Sequence, residues 1–490
     1  MNKTVVATAA VIVIAGLGVA AVPLAEEYSA RQIKAGIEFD GAAKVEAVEV
    51  GLFGRRVTLH NLHAWRVGDV TIGRWEVWGL SWPLGDLLQG RTPLSGLRLG
   101  DPLQAAHVEV KDLHVAADDA AWNIGSLTID GFDLGRYDTT GLGSMQFSAL
   151  AARIASALSV HRFEQKQTVY TTPGAADRTA IGAFTVEHFD HGRTGSMALT
   201  DLEASPKAPA APVFRMSELK VTGLDLTRPL KALSSPAWRP GMPVGRIGLE
   251  TASATGFGGV GLSRYGISLG SITSETTHEG KEVSRSRTRI EGFVLAPPLK
   301  GLEAIQLRLV LTAMGLKEVR LGFDCAGTED RARAEIAIDR CVLAGPDLAE
   351  ISLSGKLVRA DDAFWKAIDD GDNFAFLRTK AALGAARLVI ADKGLLERAL
   401  KAFATTSGRS AAETRAMVAR EVRQFQPSGV LITEDLTKLL DTVARFIETG
   451  GTLTVDAKPD PAVGLDKLSS LRTPGPDWVS LLGLSATLAR

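Results

Sequence analysis

The stretch Val57–Trp65 reads VTLHNLHAW, in which apolar and polar residues alternate, a polar step intervenes, and the alternation then resumes. This pattern is typical of a β-strand with one apolar face, and the Asn marks a point where the backbone must bend. The phrase returns as VEVKDLHVA (Val108–Ala116), LTIDGFDLG (Leu127–Gly135), MALTDLEAS (Met197–Ser205), LKVTGLDLT (Leu219–Thr227) and, more briefly, TRIEGFVLA (Thr288–Ala296). The repetition predicts a long, curved antiparallel sheet built from one strand unit.

Alternation dominates from Lys44 to Arg359, and we predict residues 26–360 to be a repeated β-sheet or groove region. AIQLRLVLTA (Ala304–Ala313) and LSRYGISL (Leu262–Leu269) are read as strands on the same ground. Proline-rich stretches near 205–213 and 229–243 predict loop breaks, because proline cannot donate a hydrogen bond to a strand ladder.

After Ala360 the apolar residues recur at helical spacing. Asp361 can cap a short helix, and Ser410-Ala-Ala-Glu413 matches a capping box. A further helix is predicted over Glu434–Glu448. Residues 361–490 are therefore predicted to be helices packed on continuing strands, and the fold class is mainly β with a mixed α+β C-terminal part.

Residues 1–25 carry a targeting signal. Lys3 precedes 21 uncharged residues, Val5–Ala25, and about 20 such residues cross the hydrocarbon core of a bilayer. We predict a transmembrane helix that anchors the chain, with a short amphipathic helix over Ser29–Ile37 after it, broken at Gly36. The alternative is a cleaved secretory signal, for which Gly18–Ala21 offers small residues. Both interpretations export the rest of the chain.

The composition excludes some function classes. The chain has 490 residues, with 55 Lys and Arg against 56 Asp and Glu, so no basic field is present for nucleic acid. No P-loop, GxSxG or HExxH motif occurs. We predict a protein that is not an enzyme and that needs no cofactor or metal.

Three apparent motifs are interpreted as structural. His60 and His63 are expected on opposite faces of a strand, as are His188 and His191, so neither pair predicts a metal site. Gly256–Gly261 matches GxGxxG, but a strand rather than a helix is predicted after it. Asp369–Asp372 lacks the ligand spacing of a calcium loop.

Cysteine and tryptophan residues suggest two further features. Cys325 and Cys341 are an even pair in a compartment expected to be oxidising, which makes them a candidate disulfide. A simple hairpin of Val319–Cys325 with Ala332–Cys341 would, however, place the thiols at opposite ends. Half of the eight tryptophans lie within 18 residues near the predicted anchor, where indole groups suit a membrane interface or simply pack at the end of the sheet. These four are Trp65, Trp75, Trp78 and Trp82.

The anchor, the early phrase VEAVEVGLFGRRVTLHNLHA and repeats such as LTIDGFDL and LKVTGLDL resemble AsmA-like proteins of the bacterial envelope, related to the TamB group and to bridge-like lipid-transfer proteins. The chain also looks like shorter relatives whose C-terminal part mixes helices and strands. The resemblance implies a sheet curled into an apolar groove that binds, shields or transfers lipid, or assists outer-membrane assembly. It implies a single-pass inner-membrane protein with its bulk in the periplasm, whose partners are the membrane, phospholipid and other envelope proteins.

The residues expected to line such a groove are Val108, Val110, Leu127, Ile129, Leu219 and Val221. Each could equally pack in a closed β-core. A single-layer sheet cannot bury its own apolar face, so a second sheet, helices or lipid must cover it. The alternative function is therefore a periplasmic scaffold without catalytic activity, with a closed core, that binds another envelope protein.

Overall fold

The computed structural model divides the chain into two compact units, each described by itself below. The first comprises Met1–Pro212 and Thr222–Pro240, and the second comprises Val213–Val221 and Gly241–Arg490. The predicted boundary at residue 360 falls inside the second unit. The structure describes residues 22–65, 69–80, 85–86, 89, 91, 98, 100–117, 120–141, 147–172, 177–206, 211–280, 282–302, 304–372, 374–426, 431–469 and 478–490.

The first unit is built on an antiparallel sheet. Its strands are β1 (Ala43–Lys44), β2 (Ala47–Gly51), β3 (Arg56–Ala64), β4 (Asp69–Trp78), β5 (Leu103–Ala117), β6 (Ala120–Leu134), β7 (Leu158–Thr172), β8 (Asp177–Asp190) and β9 (Arg193–Pro206). Each strand from β3 to β9 pairs with the next one along the chain, and β1 and β2 both pair with β3. Its helices are α1 (22–38), α2 (Phe147–Ala157) and α3 (Thr227–Leu233).

Two predictions for this unit need correction. Gly36 does not break α1, which continues to residue 38. The predicted loop at 229–243 begins as helix, because α3 runs to Leu233 and its Pro229 lies in the first turn, where no backbone N–H is needed.

The fifth residue of every repeated phrase has a positive φ angle. The six residues are Asn61 (φ 51°), Asp112 (φ 54°), Gly131 (φ 63°), Asp201 (φ 51°), Gly223 (φ 60°) and Gly292 (φ 68°). Asn, Asp and Gly tolerate this left-handed conformation better than other residues do. The bend predicted from the phrase is therefore confirmed at each of its copies.

In the first unit three of these bends, at Asn61, Asp112 and Asp201, line up across the sheet. The strand pairs that flank each bend set its register, which places Asn61 opposite Gly73 and Gly73 opposite Asp112. Positive-φ residues and glycines continue to alternate from strand to strand as far as Asp201. We call this line the kink row; its members are Asn61, Gly73, Asp112, Gly125, Gln167, Gly182 and Asp201. Its residues on β3, β5, β7 and β9 have positive φ, while those on β4, β6 and β8 are glycines. Because the bend shifts the alternation by one residue, apolar side chains on both sides of it keep to one face.

The second unit also contains an antiparallel sheet. Its strands are the first eight residues of β10 (Phe214–Asp225), β11 (Thr251–Thr255), β12 (Ile267–Ser268), β13 (Ser271–Glu279), β14 (Val283–Leu295), β15 (Val319–Asp330), β16 (Glu335–Ala344), β17 (Ala349–Val358), β18 (Ala382–Asp392), β19 (Thr452–Ala457), β20 (Val463–Gly464) and β21 (Leu484–Ala489). Strands β13 to β19 pair in chain order; β11 pairs with β13, β12 with β14, β20 with β18 and β21 with β19.

Helices are concentrated in the C-terminal part of the second unit. They are α4 (Val260–Tyr265), α5 (Ile305–Ala313), α6 (Asp362–Asp370), a 3₁₀ turn (Ala375–Arg378), α7 (Leu395–Ser407), α8 (Ala411–Arg423), α9 (Glu434–Thr449), α10 (Leu465–Ser469) and α11 (Trp478–Leu481). Asp361 caps α6, and Ser410 with Glu413 forms the capping box of α8, as predicted. The prediction of a mainly β fold with C-terminal helices is thus confirmed.

Two predicted strands of the second unit are wholly or partly helical. Ala304–Ala313 contains α5 instead, because its Leu, Gln, Arg and Ala residues favour helix and its apolar positions fit either period. Within the predicted strand Leu262–Leu269 only Ile267–Ser268 is strand. Val260–Tyr265 forms the short helix α4, which is bounded by Gly259 and Gly266, both with positive φ. A helix of six residues is too short to supply the dinucleotide-binding unit that GxGxxG requires.

Cys325 and Cys341 are directly opposite one another on β15 and β16, with Cα atoms 3.8 Å apart, and form a disulfide. The expectation that a hairpin would separate them is wrong, because β15 continues to Asp330 and the turn occupies only the four residues before Glu335. This longer hairpin brings the two positions into register.

Most of the predicted N-terminal anchor lies outside the described residues, which begin at residue 22. Among the helices that the structure describes, none combines the length and the apolar character needed to cross a membrane.

Candidate functional site

Helix α1 is held beside strand β2 by three polar contacts to the residues that flank this strand. The backbone N–H of Leu52 donates to the Glu26 carboxylate at 3.0 Å, and that of Val45 donates to Glu38 at 3.1 Å. The ammonium group of Lys34 donates to the backbone carbonyl of Glu46 at 2.7 Å. These contacts turn the apolar side of the helix towards the sheet, where Ile33 is 1% exposed.

An apolar cavity of about 460 Å³ lies between α1 and strands β3 to β6. Every side chain that lines it is apolar: Ile33, Ile37, Ala43, Val57, Leu59, Leu62, Ala64, Trp75, Val77, Leu80, Leu103, Ala105, Val108, Ile129 and Phe132. A cavity of this size falls within the range of roughly 300–1,000 Å³ found for small-molecule sites. The cavity is the first unit's candidate binding site.

The lining includes one side chain with a polar atom, that of Trp75, but its indole Nε1 does not open into the cavity. That atom is buried and has no hydrogen-bond partner among the residues that the structure describes. A fully covered donor cannot reach a ligand in the cavity. The lining side chains can therefore accept hydrocarbon, and none of them offers it a hydrogen bond.

The bend in β3 explains how its residues share the cavity. Val57 and Leu59 precede Asn61, Leu62 and Ala64 follow it, and all four apolar side chains line the same cavity. Strict alternation would send the second pair to the other face.

The apolar face extends beyond the cavity across the first unit. Two lines of directly opposed residues cross the seven strands β3 to β9, and we call them together the apolar band. One line is Val57, Val77, Val108, Ile129, Phe163, Val186 and Met197, and the other is Leu59, Trp75, Val110, Leu127, Gln165, Phe184 and Leu199. At about 4.8 Å between strands, each line is roughly 29 Å long.

The six predicted lining residues are divided between the units. Val108 and Ile129 are cross-strand partners, and both line the cavity. Val110 and Leu127 form the adjacent pair of the apolar band without lining the cavity. Leu219 and Val221 lie on β10 in the second unit, where Val221 is buried, and the structure does not bring them to this site.

The predicted interfacial tryptophans differ in their surroundings. Trp65 and Trp78 are about half exposed, at 48% and 45%, and stack near histidines on the polar side of the sheet. Trp75 lines the cavity instead. Trp82 lies outside the described residues. A role of these residues at a membrane interface stays a prediction.

The polar face carries histidines that lie beside carboxylates. Because Asn61 shifts the alternation, His60 and His63 lie on the same face, which corrects the expectation of opposite faces. His63 lies 2.6 Å from Asp69, and His60 lies 3.4 Å from Glu49. In the part of the chain that the structure describes, no three His, Cys, Asp or Glu residues are grouped to hold a metal ion.

Sequence reasoning missed the contribution of α1 to the site. Ile33 and Ile37 were predicted to lie on a short amphipathic helix, and that amphipathic pattern was the signal that one helix face must be covered. Leu103, Ala105 and Phe132 were also missed, although they belong to the same alternating strands.

Comparison with known proteins gives a match for one segment of the chain. A family model described as "Uncharacterized protein" matches residues 342–488, from late β16 to β21 in the second unit. No curated protein matches the chain. The matched segment does not include the apolar cavity of the first unit.

Proposed function

We propose that the chain is a lipid-binding protein of the AsmA-like class, anchored in the bacterial inner membrane by residues 5–25, with its bulk in the periplasm. It would bind or transfer phospholipid, or shield acyl chains during envelope assembly, without catalysing a reaction. The observation that carries this proposal is the wholly apolar cavity and the apolar band that continues from it.

The energetic argument rests on the hydrocarbon that the cavity can remove from water. Each buried methylene contributes about 0.8 kcal/mol, so ten methylenes of an acyl chain would gain roughly 8 kcal/mol before the cost of immobilising the chain. Protein interiors seldom leave apolar space of this size unfilled. An acyl chain matches both the surface chemistry and the elongated band.

The alternative is a scaffold whose apolar face is covered by protein alone. In the first unit most side chains of the apolar band beyond β5 are only half-buried, including Phe163, Phe184 and Met197. This partial burial supports lipid over a closed core, because a closed core would leave these side chains fully buried.

Photo-crosslinking on the full chain tests the proposal. A phospholipid with a diazirine in its acyl chain is incorporated into the membrane, and crosslinked peptides are located by mass spectrometry. We expect adducts on residues 103–132, and we expect Val108→Phe to reduce them at least fivefold because the added ring occupies the cavity. The matched control Glu109→Phe places the same ring on the opposite face of β5.

Equal labelling of both variants, or adducts confined to residues 1–25, would contradict the proposal. Thermal unfolding of each variant verifies that loss of adduct does not result from loss of structure.

A further inference from the structure

A second cavity, of about 380 Å³, lies in the second unit on the face of β14, β15 and β16. One wall is apolar and includes Phe323, Ile338 and the disulfide residue Cys325. The polar residues Ser286, Thr288 and Glu329 also line the cavity, and we call them its polar wall. The first cavity differs in that all of its lining residues are apolar.

A glycine opens this cavity. Gly327 lies opposite both Ser286 and Ile338 in the sheet. A Cβ on Gly327 would lie 3.0 Å from the carbonyl oxygen of Ala337 and 3.8 Å from the hydroxyl of Ser286. Any larger side chain would occupy the space between the two walls.

The polar wall carries no uncompensated charge. Arg246 donates to the Glu329 carboxylate at 2.9 Å, and the hydroxyl of Ser284 lies 3.4 Å from the same oxygen. A charged ligand group would therefore meet an ion pair that is already formed, whereas an uncharged hydroxyl or ester oxygen could hydrogen-bond to Ser286 or Thr288.

The strand ladder excludes recognition by backbone pairing. Beside the cavity, residues 323–330 of β15 are paired with β14 on one side and β16 on the other, so the backbone there offers no open strand edge. An extended peptide needs an open strand edge to add a strand. Recognition here must come from side chains alone.

The apolar wall continues along the same face. Ile338, Leu343 and Leu353 are 39%, 40% and 41% exposed, and Leu353 lies opposite Cys341 of the disulfide. Such exposure is unusual for large apolar side chains in the interior of a sheet. This strip can accept a hydrocarbon chain that leaves the cavity.

We propose that this second cavity binds an uncharged acyl amphiphile, such as a monoacylglycerol or the glycerol-ester region of a diacyl lipid. Its hydroxyl or ester oxygens contact Ser286 and Thr288, and its chain covers Ile338, Leu353 and the disulfide. The inference rests on the lipid-binding role proposed above and adds a second site with its own ligand preference.

Photo-crosslinking with two probes of equal chain length tests the site. One probe is a diazirine monoacylglycerol and the other is the corresponding anionic fatty acid, each applied to the full chain. We expect the monoacylglycerol to label residues 323–353 at least five times more than the fatty acid does. Ser286→Trp should abolish this labelling, whereas Arg285→Trp, with the same ring on the opposite face of β14, should preserve it.

The outcomes separate the two proposals. Labelling of residues 103–132 without labelling of 323–353 would overturn the second site and leave the first intact, while absence of both would overturn both. Equal labelling by the two probes would overturn the preference for an uncharged ligand. Amide hydrogen exchange of β14 and β15 in Ser286→Trp verifies that the strands remain folded.

Discussion

Asp201 on β9 covers Gly182 on β8 so closely that a Cβ on Gly182 would lie 2.9 Å from the Cβ of Asp201. The same relationship recurs in the kink row where Asp112 covers Gly73 at 3.1 Å. Within the kink row, a positive-φ residue that carries a side chain thus faces a glycine on the neighbouring strand, where a side chain would collide with it. This pairing allows the bend to cross the whole sheet of the first unit.

Gly182→Ala should therefore destabilise the first unit by about 1–3 kcal/mol, the usual cost of adding a methyl group to a filled site. The measurement is urea unfolding, with amide exchange of peptides from β8 and β9 to locate the effect. Gly36→Ala is the matched control. Gly36 is helical and has nothing within 4 Å of a Cβ, so this change should be neutral or stabilise by up to about 1 kcal/mol. Equal effects at both positions would refute the steric explanation.

Asp112→Val tests the left-handed conformation itself. A β-branched residue at φ 54° should cost about 1–2 kcal/mol, because its side chain collides with the backbone in this region. Asp112→Gly should cost less than half as much, since glycine adopts positive φ freely. Unfolding free energies of the two variants, measured side by side, give the comparison. If Val is tolerated as well as Gly, the positive φ is not an energetic requirement of the bend.

Removal of the disulfide should destabilise the second unit. Cys325 and Cys341 are separated by 16 residues, and closing a loop of this size stabilises a fold by about 3 kcal/mol. The double variant Cys325→Ala with Cys341→Ala should lower the unfolding midpoint, and wild-type chain in a reducing agent should match it. An unchanged midpoint in the double variant would show that the bond contributes little.

The lowered pKa of Asp225 leads us to expect that the stability of the first unit depends on pH. Burial raises the pKa of Asp225, but hydrogen bonds from the hydroxyl and backbone N–H of Thr227, together with Arg193, outweigh it and leave the pKa below its usual value. Since the folded pKa is the lower one, the carboxylate stabilises the fold above about pH 4, and this contribution is lost as the pH falls through the folded pKa.

Asp225→Asn should accordingly cost up to about 1 kcal/mol at pH 7, a modest value because the side chain is partly exposed and screened. The difference from wild type should shrink as the pH falls below about 4 and through the lowered pKa of Asp225, which thermal unfolding at several pH values would measure. Asp177→Asn is the control at an exposed strand position, and it should leave the free energy of unfolding at pH 7 unchanged. A difference that persists at low pH would exclude the carboxylate as its source.

The resemblance to AsmA-like proteins, the exported location and the membrane anchor came from local sequence, and they remain predictions. The strand repeats, their bends and the capped helices of the second unit are also local features, and the structure contains them. Ala304–Ala313 shows where local reading was insufficient, since its pattern fits a strand and a helix equally and its packing decided between them. His60 and His63 show the same limit, because one bend reverses the face that simple alternation assigns.

The sequence by itself determined that the chain is mainly β, that each repeated phrase bends at its fifth residue, and where the C-terminal helices begin. Those properties depend on neighbouring residues, through side-chain alternation, tolerance of positive φ and capping hydrogen bonds. Only the tertiary structure decided that Val108 and Ile129 line a cavity, whereas Leu219 and Val221, with the same pattern, do not. It also decided that Cys325 faces Cys341, because the length of β15 sets which residues of the hairpin oppose one another. The packing of α1 against the sheet likewise joins residues far apart in the chain around the first cavity.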